Sequence, residues 1–282
     1  MSATAVLFPG QGSLTAESPA HAADVCPELV EQASELLGDD PFERAAESTA
    51  FAQPAIFVAS MAGWRERAPG LGEIVAMAGH SLGELSALVA AGAVGVDDGL
   101  RLVVLRGRLM ADAAAAAESD GGMMALLGGT PQAAAELAAA HELIVANDNA
   151  PGQVVLSGER ERIGALARIA RSEGFKSMVL DVAGAFHSPS IAAAEEPFHA
   201  ALREVEWRPT DVPVVSGLTA APFTDIPLEL SRALVNPVRW REVMAELYAR
   251  GAREYVDVGP GHVVERLAER NLSRLEGHAV AH

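Results

Sequence analysis

The sequence predicts an α/β protein in which a ferredoxin-like subdomain is inserted into a larger domain. Two observations support this prediction. Short apolar segments of strand length alternate with longer segments of helical periodicity through most of the chain. Between residues 121 and 184, the segments follow the order β-α-β-β-α-β, which is the ferredoxin-like arrangement. We therefore expect residues 1–120 and 185–282 to form the large domain and residues 121–184 the small subdomain.

Composition and charge limit the classes of function. The chain has 282 residues, 50% of them hydrophobic, and a formal net charge of −17. This charge argues against nucleic acid and anionic membranes as partners, so an anionic partner must meet a local patch of arginines. No apolar run is long enough to span a membrane, and no basic residues precede the short N-terminal apolar run, as they would in a signal peptide. A single cysteine, Cys26, excludes an internal disulfide, and we expect a cytoplasmic protein.

The first part of the large domain alternates strands and helices. A buried strand is expected at residues 5–8, followed by a glycine-containing loop at residues 9–13. Helical periodicity covers residues 28–37 and 53–67, and a second buried strand is expected at residues 73–78. The two glycines around Gln11 would let the backbone of the first loop approach another group closely, although an ordinary turn has the same composition.

The segment that follows the second strand has the pattern of a nucleophile elbow. Residues 79–83 read Gly-His-Ser-Leu-Gly, and helix formers follow over residues 85–91. A turn this tight brings its flanks together, which explains glycine at positions 79 and 83. Ser81 would then stand above the N-terminus of the next helix, where unpaired N–H groups could stabilise an oxyanion. A strand–helix turn that matches the pattern by chance is the alternative, and we expect Ser81 to be a nucleophile.

One arginine is set apart on the long helix predicted from Asp97 to about residue 117. At about 100° per residue, Arg101 and Arg108 lie on one side of this helix, whereas Arg106 falls among apolar neighbours. A guanidinium among apolar groups needs an anion. That anion could be an internal carboxylate or the carboxylate of a substrate held by two hydrogen bonds.

The remaining segments complete the two domains. In the small subdomain, strands are expected at residues 123–127, 143–146, 154–157 and 176–182, and helices at residues 130–140 and 159–172. Thr130 would cap the first helix, and a turn is expected at residues 147–152. The large domain resumes after the loop 184–189, with helices expected at residues 190–202, 240–249 and 263–271 and strands at residues 212–216 and 255–258.

A serine hydroxyl needs a base to accept its proton, and histidine is the usual base. His80 is next to Ser81, but the elbow should turn its side chain elsewhere. His262 follows a Gly-Pro-Gly turn and could be structural or functional. His187 lies in a loop on the connection back to the large domain, where a catalytic and a structural role are equally open.

Several motifs, taken in order, resemble the malonyl-CoA:acyl carrier protein transacylases and the acyltransferase domains of polyketide synthases. The motifs span nearly the whole chain; they are Phe8-Pro9-Gly10-Gln11-Gly12-Ser13, Gln53-Pro54-Ala55, Gly79-His80-Ser81-Leu82-Gly83-Glu84, Leu105-Arg106-Gly107, residues 147–153, Gly184-Ala185-Phe186-His187-Ser188-Pro189, Asn236-Pro237-Val238-Arg239-Trp240 and Val258-Gly259-Pro260-Gly261. The resemblance implies an α/β-hydrolase-like large domain that carries the ferredoxin-like subdomain. The Gly-Ala-Phe-His sequence is similar to the version found with malonyl rather than methylmalonyl units.

The resemblance also implies roles for single residues. Ser81 matches the serine that is acylated, His187 its base and Arg106 the arginine that pairs with the malonyl carboxylate. The backbone N–H groups of Gln11 and Leu82 would bind the oxyanion. The side chains of Phe186 and Gln53 would line the substrate pocket.

The implied reaction is a two-step transfer of malonyl from malonyl-CoA to the phosphopantetheine thiol of an acyl carrier protein. It needs no metal or bound cofactor, and we expect a monomer that binds neither nucleic acid nor membrane. A stand-alone acyltransferase for polyketide synthesis would have the same site and a different carrier protein. A serine thioesterase or acyl hydrolase would usually have an acidic residue between serine and histidine and no need of Arg106. A non-catalytic accessory module would not need to retain Ser81, Arg106 and His187 together.

The sequence departs from the family pattern at two places. Residues 13–17 read Ser-Leu-Thr-Ala-Glu where members usually continue with glutamine and a Gly-Met pair, in a segment that is also short. Ala233 stands where the family often has a glutamine whose main-chain carbonyl orients the histidine, and alanine still supplies this carbonyl.

The second helix of the small subdomain could offer a docking surface to the carrier protein. Four arginines lie on it, interspersed with Glu159, Glu161 and Glu173; they are Arg160, Arg162, Arg168 and Arg171. Because carrier proteins are typically acidic, these arginines could bind one, but a solvated helix face with mixed charges is the competing interpretation.

Overall fold

The computed structural model describes residues 3–279 and contains two separate four-stranded sheets. The first sheet is parallel, with strand order β7-β2-β1-β8; its strands are β1 (Thr4–Phe8), β2 (Ile74–Gly79), β7 (Val214–Val215) and β8 (Glu254–Asp257). Parallel strands need crossover connections, and helices supply them on both faces of this sheet. The predicted α/β class is confirmed at this level.

The central strand of this sheet separates two cores. Every residue of β1 is buried. Because strand side chains alternate between faces, Val6 and Phe8 pack into one apolar cluster and Ala5 and Leu7 into the other. Helices enclose this sheet; they are α1 (Ser18–Val25), α2 (Pro27–Leu37), α3 (Thr49–Arg67), α4 (Gly83–Ala90), α5 (Val96–Ala116), α8 (Glu195–Arg203), α9 (Ile226–Arg232), α10 (Trp240–Ala249) and α11 (Val263–Ala279).

The second sheet is antiparallel, with strand order β4-β5-β3-β6. Its strands are β3 (Gly121–Leu127), β4 (Ile144–Ala150), β5 (Gln153–Glu159) and β6 (Lys176–Leu180). Two helices, α6 (Pro131–Ala140) and α7 (Arg160–Ile169), cover one face and enclose Met124, Leu126 and Leu156. The opposite face turns Met123 and Ala125 toward the core of the parallel sheet. The Oγ1 atom of Thr130 accepts a hydrogen bond from the N–H of Ala133, as its predicted capping role requires.

The structure differs from the sequence prediction at several elements. The predicted turn at residues 147–152 was wrong over its first part, because β4 continues to Ala150 and only Pro151 and Gly152 turn. The Asn-Asp-Asn composition favours turns in general, but here the N–H of Asp148 donates to the carbonyl of Val238, and both asparagines are buried. Helices α1 and α9 were not predicted, α7 ends before Arg171, and α3 begins at Thr49 behind the capping hydroxyl of Ser48.

No helix in the described range 3–279 combines the length and the apolar character needed to cross a membrane. The predicted domain boundaries at residues 1 and 282 lie outside the described residues, as do the first two residues of the N-terminal segment.

Candidate active site

The elbow has the tight geometry that its sequence predicted. Ser81 has a φ of 54°, in the left-handed region that residues with a Cβ rarely adopt. A Cβ at position 79 would overlap the backbone of Gly83, and one at position 83 would overlap the carbonyl of Phe8. Only glycine fits at either flank, so the strand β2 and the helix α4 can hold Ser81 in its strained conformation.

His187 is the partner of Ser81. Its Nε2 atom lies 2.8 Å from the Ser81 Oγ atom, and its Nδ1 atom lies 2.8 Å from the carbonyl oxygen of Ala233. A carbonyl can only accept, so Nδ1 carries the proton and Nε2 is left to accept the hydroxyl proton of Ser81. The contact that was expected from the Ala233 carbonyl is therefore present. Like Ser81, His187 has a positive φ, of 56°.

The surroundings of His187 keep its ring neutral. The residue is buried, and burial lowers the pKa of His187 to about 3, with the charge of Arg106 as the second cause. The imidazole is therefore in its basic form across the physiological pH range. A neutral ring is what a general base needs before it accepts a proton.

Arg106 lies against Ser81, buried on α5. Its Nη1 atom donates to the Gln53 Oε1 atom at 2.6 Å, and its Nη2 atom donates to the Ser81 Oγ atom at 3.1 Å. Burial lowers the pKa of Arg106 to about 10, so the guanidinium stays charged at neutral pH. Arg101 and Arg108 are exposed on the same helix, as the helical angles predicted.

The structure brings all seven sequence-predicted site residues together around one cavity of about 360 Å³; they are Gln11, Gln53, Ser81, Leu82, Arg106, Phe186 and His187. Met110, Met123, Leu180 and Val182 add apolar lining. Because Met123 and Leu180 belong to the antiparallel sheet, the cavity lies between the two sheets. Its size and its mixture of apolar walls with a few polar groups are typical of small-molecule sites.

Gln11 and Leu82, whose backbone N–H groups were expected to bind an oxyanion, both line the cavity that contains Ser81. Leu82 directly precedes α4, so its N–H lies at the N-terminal end of that helix. The Gln11 side chain accepts a hydrogen bond from the Thr49 Oγ1 atom at 3.3 Å, which fixes the loop that carries its N–H. The Gln53 Nε2 atom donates to the same Thr49 oxygen at 2.9 Å. Thr49 therefore connects the partner of Arg106 to the Gln11 loop.

Sequence reasoning did not find Thr49 or Asn149. Thr49 precedes Gln53 by one helical turn, so the i,i+4 spacing could have indicated it. Asn149 lies within a motif that was recognised, but as part of a turn. Its Oδ1 atom is 2.8 Å from the His80 Nε2 atom, and its carbonyl accepts a hydrogen bond from the Asn271 Nδ2 atom at 2.9 Å.

The other two histidines that were considered have separate environments. The His80 ring turns toward Asn149 and packs 5.2 Å from the Trp240 ring, and burial lowers the pKa of His80. The ring of His262 is 70% exposed and contacts the carboxylate of Glu265 at 2.6 Å. Neither ring is hydrogen-bonded to Ser81.

Glu84, on the helix α4 that follows Ser81, is buried. Its Oε1 atom accepts a hydrogen bond from the N–H of Gly217 at 2.7 Å. Burial raises the pKa of Glu84 to about 7, against the opposing effects of this hydrogen bond and of the charge of Arg106. Glu84 therefore fixes the loop after β7 beneath the site and is the internal carboxylate whose charge acts on Arg106.

The family model described as acyl transferase domain matches residues 25–282. The chain belongs to this acyl transferase family. A family member from Bacillus velezensis, the polyketide biosynthesis malonyl CoA-acyl carrier protein transacylase BaeC, is 35% identical over 96% of the chain and 97% of the relative. The malonyl CoA-acyl carrier protein transacylase of Bacillus subtilis is also 35% identical, over 100% of the chain and 94% of the relative.

The chain is also similar to part of a longer protein and to a chain of a solved complex. The chain is 34% identical to the polyketide biosynthesis protein ThaF of Burkholderia thailandensis, but it spans only 24% of that protein. The solved complex, PlMCAT:AntF, contains a type II polyketide synthase acyl carrier protein and its malonyl-transacylase. It matches with a TM-score of 0.85 and 32% identity, over 96% of this chain and 94% of that one.

Proposed function

We propose that this chain is a malonyl-CoA:acyl carrier protein transacylase that works through an acyl ester on Ser81. The observation that supports this proposal best is the convergence on one oxygen atom. The Ser81 Oγ atom lies 2.8 Å from the Nε2 atom of a neutral histidine and 3.1 Å from the Nη2 atom of a buried arginine. The first contact activates a nucleophile, and the second places a positive charge where a substrate carboxylate would lie.

In the first step, the Ser81 Oγ atom attacks the thioester carbonyl of malonyl-CoA while His187 Nε2 accepts the hydroxyl proton. The N–H groups of Gln11 and Leu82 would stabilise the oxyanion that forms. When the carbon–sulfur bond breaks, the proton on His187 passes to the sulfur, and coenzyme A leaves as the thiol.

In the second step, the thiol of the carrier's phosphopantetheine gives its proton to His187 Nε2 and attacks the ester carbonyl. The bond to Ser81 Oγ breaks, and the serine recovers the proton from His187. The Ala233 carbonyl would hold the ring in one tautomer through both steps and stabilise the imidazolium that forms in each.

The domain organisation is part of the proposal. The strand order β4-β5-β3-β6, with α6 and α7 on one face, supports the assignment of residues 121–184 to a ferredoxin-like subdomain. Residues 1–120 and 185–282 would then form the α/β-hydrolase-like domain, with Ser81 at the carboxyl end of β2. We also expect the enzyme to act as a monomer.

The hydrolase alternative has less support. A serine hydrolase usually orients its histidine with a carboxylate, whereas His187 donates to the neutral carbonyl of Ala233. Arg106 would also have no role in hydrolysis of an uncharged ester. The polyketide alternative has the same chemistry, and only the carrier protein distinguishes it.

The proposal is tested by the intact mass of the protein after brief incubation with malonyl-CoA, acetyl-CoA and methylmalonyl-CoA. We expect a malonyl adduct that peptide mapping places on Ser81 and that Ser81→Ala lacks. His187→Ala should slow acylation by about two to four orders of magnitude. The acylated protein is then mixed with a panel of holo carrier proteins from fatty acid and polyketide synthesis. No adduct, or an adduct that persists in Ser81→Ala, would contradict the proposal.

A further inference from the structure

The hydroxyl group of Thr49 lies between two parts of the candidate site. Thr49 is the first residue of α3 and is 3% exposed. Its Oγ1 atom accepts a hydrogen bond from the Gln53 Nε2 atom at 2.9 Å and donates one to the Gln11 Oε1 atom at 3.3 Å. Gln53 is the partner of Arg106, so this hydroxyl connects the buried guanidinium to the loop that carries Gln11.

Arg106 determines the direction of these hydrogen bonds. A guanidinium can only donate, so the Gln53 Oε1 atom must face it, and this atom lies 2.6 Å from the Arg106 Nη1 atom. The Gln53 Nε2 atom then points away from Arg106 and donates to Thr49. The hydroxyl proton of Thr49 is left to donate to the amide oxygen of Gln11. Donors and acceptors therefore follow one consistent order from Arg106 to the Gln11 loop.

The hydroxyl of Thr49 is not needed to begin the helix. Threonine hydroxyls near a helix N-terminus usually bond to the backbone, but here the preceding residue has that role. The Ser48 Oγ atom accepts a hydrogen bond from the N–H of Ala50 at 3.2 Å, as a capping residue does. Within residues 3–279, the Thr49 hydroxyl bonds to two side chains of the site instead. This arrangement indicates a role in the site rather than in the helix.

The backbone of Thr49 is fixed against the helix that carries Arg106. A Cβ at position 107 would lie 2.9 Å from the carbonyl oxygen of Thr49 and 3.1 Å from the Cα atom of Ala50. Glycine at this position lets α5 approach the first turn of α3 closely. Because main-chain contact holds the two helices together, removal of the hydroxyl should disturb the hydrogen bonds and leave the helix packing intact.

The loop at the other end of these hydrogen bonds is fixed mainly at its start. A Cβ at position 10 would lie 2.6 Å from the carbonyl oxygen of His80, so the backbone there lies directly against the elbow. Gln11 is exposed, and Gly12 after it has a φ of 89°. The hydrogen bond from Thr49 therefore restrains the loop beyond its contact with the elbow.

We propose that Thr49 is a positioning residue that aligns the carboxylate-binding arginine with the oxyanion-binding loop. Through Gln53 it sets the plane of the Arg106 guanidinium, which must match the plane of a malonyl carboxylate. Through Gln11 it sets the backbone N–H that would bind the oxyanion of the thioester carbonyl. These two groups contact opposite ends of one malonyl unit, so both must be aligned at once. This inference rests on the proposed function and adds the residue that coordinates its two binding groups.

The test measures kcat/KM of acylation for malonyl-CoA and acetyl-CoA in Thr49→Val, which keeps the shape of the side chain and removes the hydroxyl. Acetyl-CoA has no carboxylate and reports on the loop, and its kcat/KM should fall about threefold, as for the loss of one neutral hydrogen bond. Malonyl-CoA depends on both ends, and its kcat/KM should fall about tenfold to thirtyfold. The ratio of malonyl to acetyl kcat/KM should therefore fall about threefold to tenfold. Thr49→Ser restores the hydroxyl and should recover most of both losses.

The matched control is Ser48→Ala, which removes the capping hydroxyl of the neighbouring residue. It should lower the stability to denaturant and leave both kcat/KM values close to those of the wild type. Denaturant unfolding curves of all variants establish that each is folded under the conditions of the assay.

Two further variants examine the two ends separately. Gln11→Ala changes an exposed side chain and should lower acetyl kcat/KM about threefold, as Thr49→Val does, even where Thr49→Val itself does not fold. In Arg106→Ala the carboxylate has no partner. Adding Thr49→Val to Arg106→Ala should therefore leave the ratio of malonyl to acetyl kcat/KM unchanged.

Several outcomes would overturn the proposal. Equal losses for malonyl-CoA and acetyl-CoA in Thr49→Val would show that the hydroxyl does not align Arg106, and an unchanged acetyl kcat/KM in Gln11→Ala would show that it does not act on the loop. The same losses in Ser48→Ala, or no recovery in Thr49→Ser, would assign the effect to the start of the helix. If the wild-type protein forms no acyl ester with malonyl-CoA, the proposed function has failed instead.

Discussion

Replacing Arg106 should change which thioester the enzyme uses rather than simply reduce its activity. Malonyl and acetyl thioesters differ by one carboxylate, and Arg106 is the cation beside Ser81. In Arg106→Ala the malonyl group loses its partner. The acetyl group has no carboxylate and loses no ion pair.

The structure sets the size of the effect. One guanidinium nitrogen donates a hydrogen bond to Gln53 and another donates one to Ser81, and both acceptors are neutral. The remaining N–H groups of Arg106 and its positive charge are therefore available to a substrate carboxylate. A charge-assisted hydrogen bond in a buried site is worth about 1.5–3 kcal/mol, which corresponds to about a ten- to a hundredfold change in rate. Because the charge of Arg106 also lowers the pKa of His187, its removal makes the base stronger, and acetyl transfer should fall little or even rise.

The measurement is kcat/KM for malonyl-CoA and acetyl-CoA in the wild type, Arg106→Ala and Arg106→Lys. Lysine should restore malonyl transfer only in part, since a point charge cannot reproduce two parallel hydrogen bonds. Arg101→Ala is the control, because Arg101 is an exposed arginine on the same helix whose charge is paired with Asp98. If the malonyl and acetyl rates fall by the same factor in Arg106→Ala, Arg106 is structural and the argument for malonyl selectivity is refuted.

Three further predictions concern buried polar groups. Because the pKa of His187 is lowered to about 3, the base is neutral from pH 5 to 8, and the pH profile of kcat/KM for acylation should show no histidine inflection near pH 6.5. The profile is measured in the Glu84→Gln variant, because the pKa of Glu84 itself is about 7. An inflection near pH 6.5 in this variant would show that the His187 ring titrates normally. Burial raises the pKa of Glu84 to about 7 from 4.5, so the folded state binds the proton more tightly and stability is lost as the pH rises from 4.5 to 7. Denaturant unfolding should show the wild type losing about 3 kcal/mol more than Glu84→Gln over this interval, and parallel curves would count against the shift. Asn149→Ala should lower the kcat of acylation and leave the KM for malonyl-CoA nearly unchanged, because the His80 ring next to Ser81 loses its hydrogen-bond partner. Asn149→Asp should recover part of the lost kcat. A change confined to the KM would argue against this positioning role.

Residues in local motifs could be predicted from the sequence, whereas partnerships across the fold could not. Ser81 was predictable because strand, tight turn and helix occur within a short segment. Arg106 was predictable because helical geometry alone separates it from Arg101 and Arg108. His187 remained undecided from the residues alone, since its pairing with Ser81 depends on a loop more than 100 residues away, and the contact of 2.8 Å appears only in the fold.

The errors have two physical causes. Asn149 was placed in a turn because asparagine usually satisfies its polar groups locally, but here it satisfies them with His80 and Asn271 from distant elements. α1 and α9 were missed because they are short, with eight and seven residues, so that periodicity cannot reveal them. Local composition therefore misled at Asn149, where tertiary contacts determine the conformation, and length hid the two short helices.

The hydrogen bonds of β4 determine how the cleft between the two sheets can open. Asn149 is tied to the elbow through His80, and Asp148 is tied to the large domain through Val238 and through an ion pair with Arg241 at 2.6 Å. The strand at the other edge, β6, meets the large domain through apolar contacts such as those of Leu180. If the cleft opens, these contacts favour a pivot about β4 that widens the gap beneath β6. A bulkier acyl chain could then enter from the β6 side while the alignment of Ser81 is kept, so the range of accepted thioesters depends on the stiffness of this pivot as well as on the walls of the pocket.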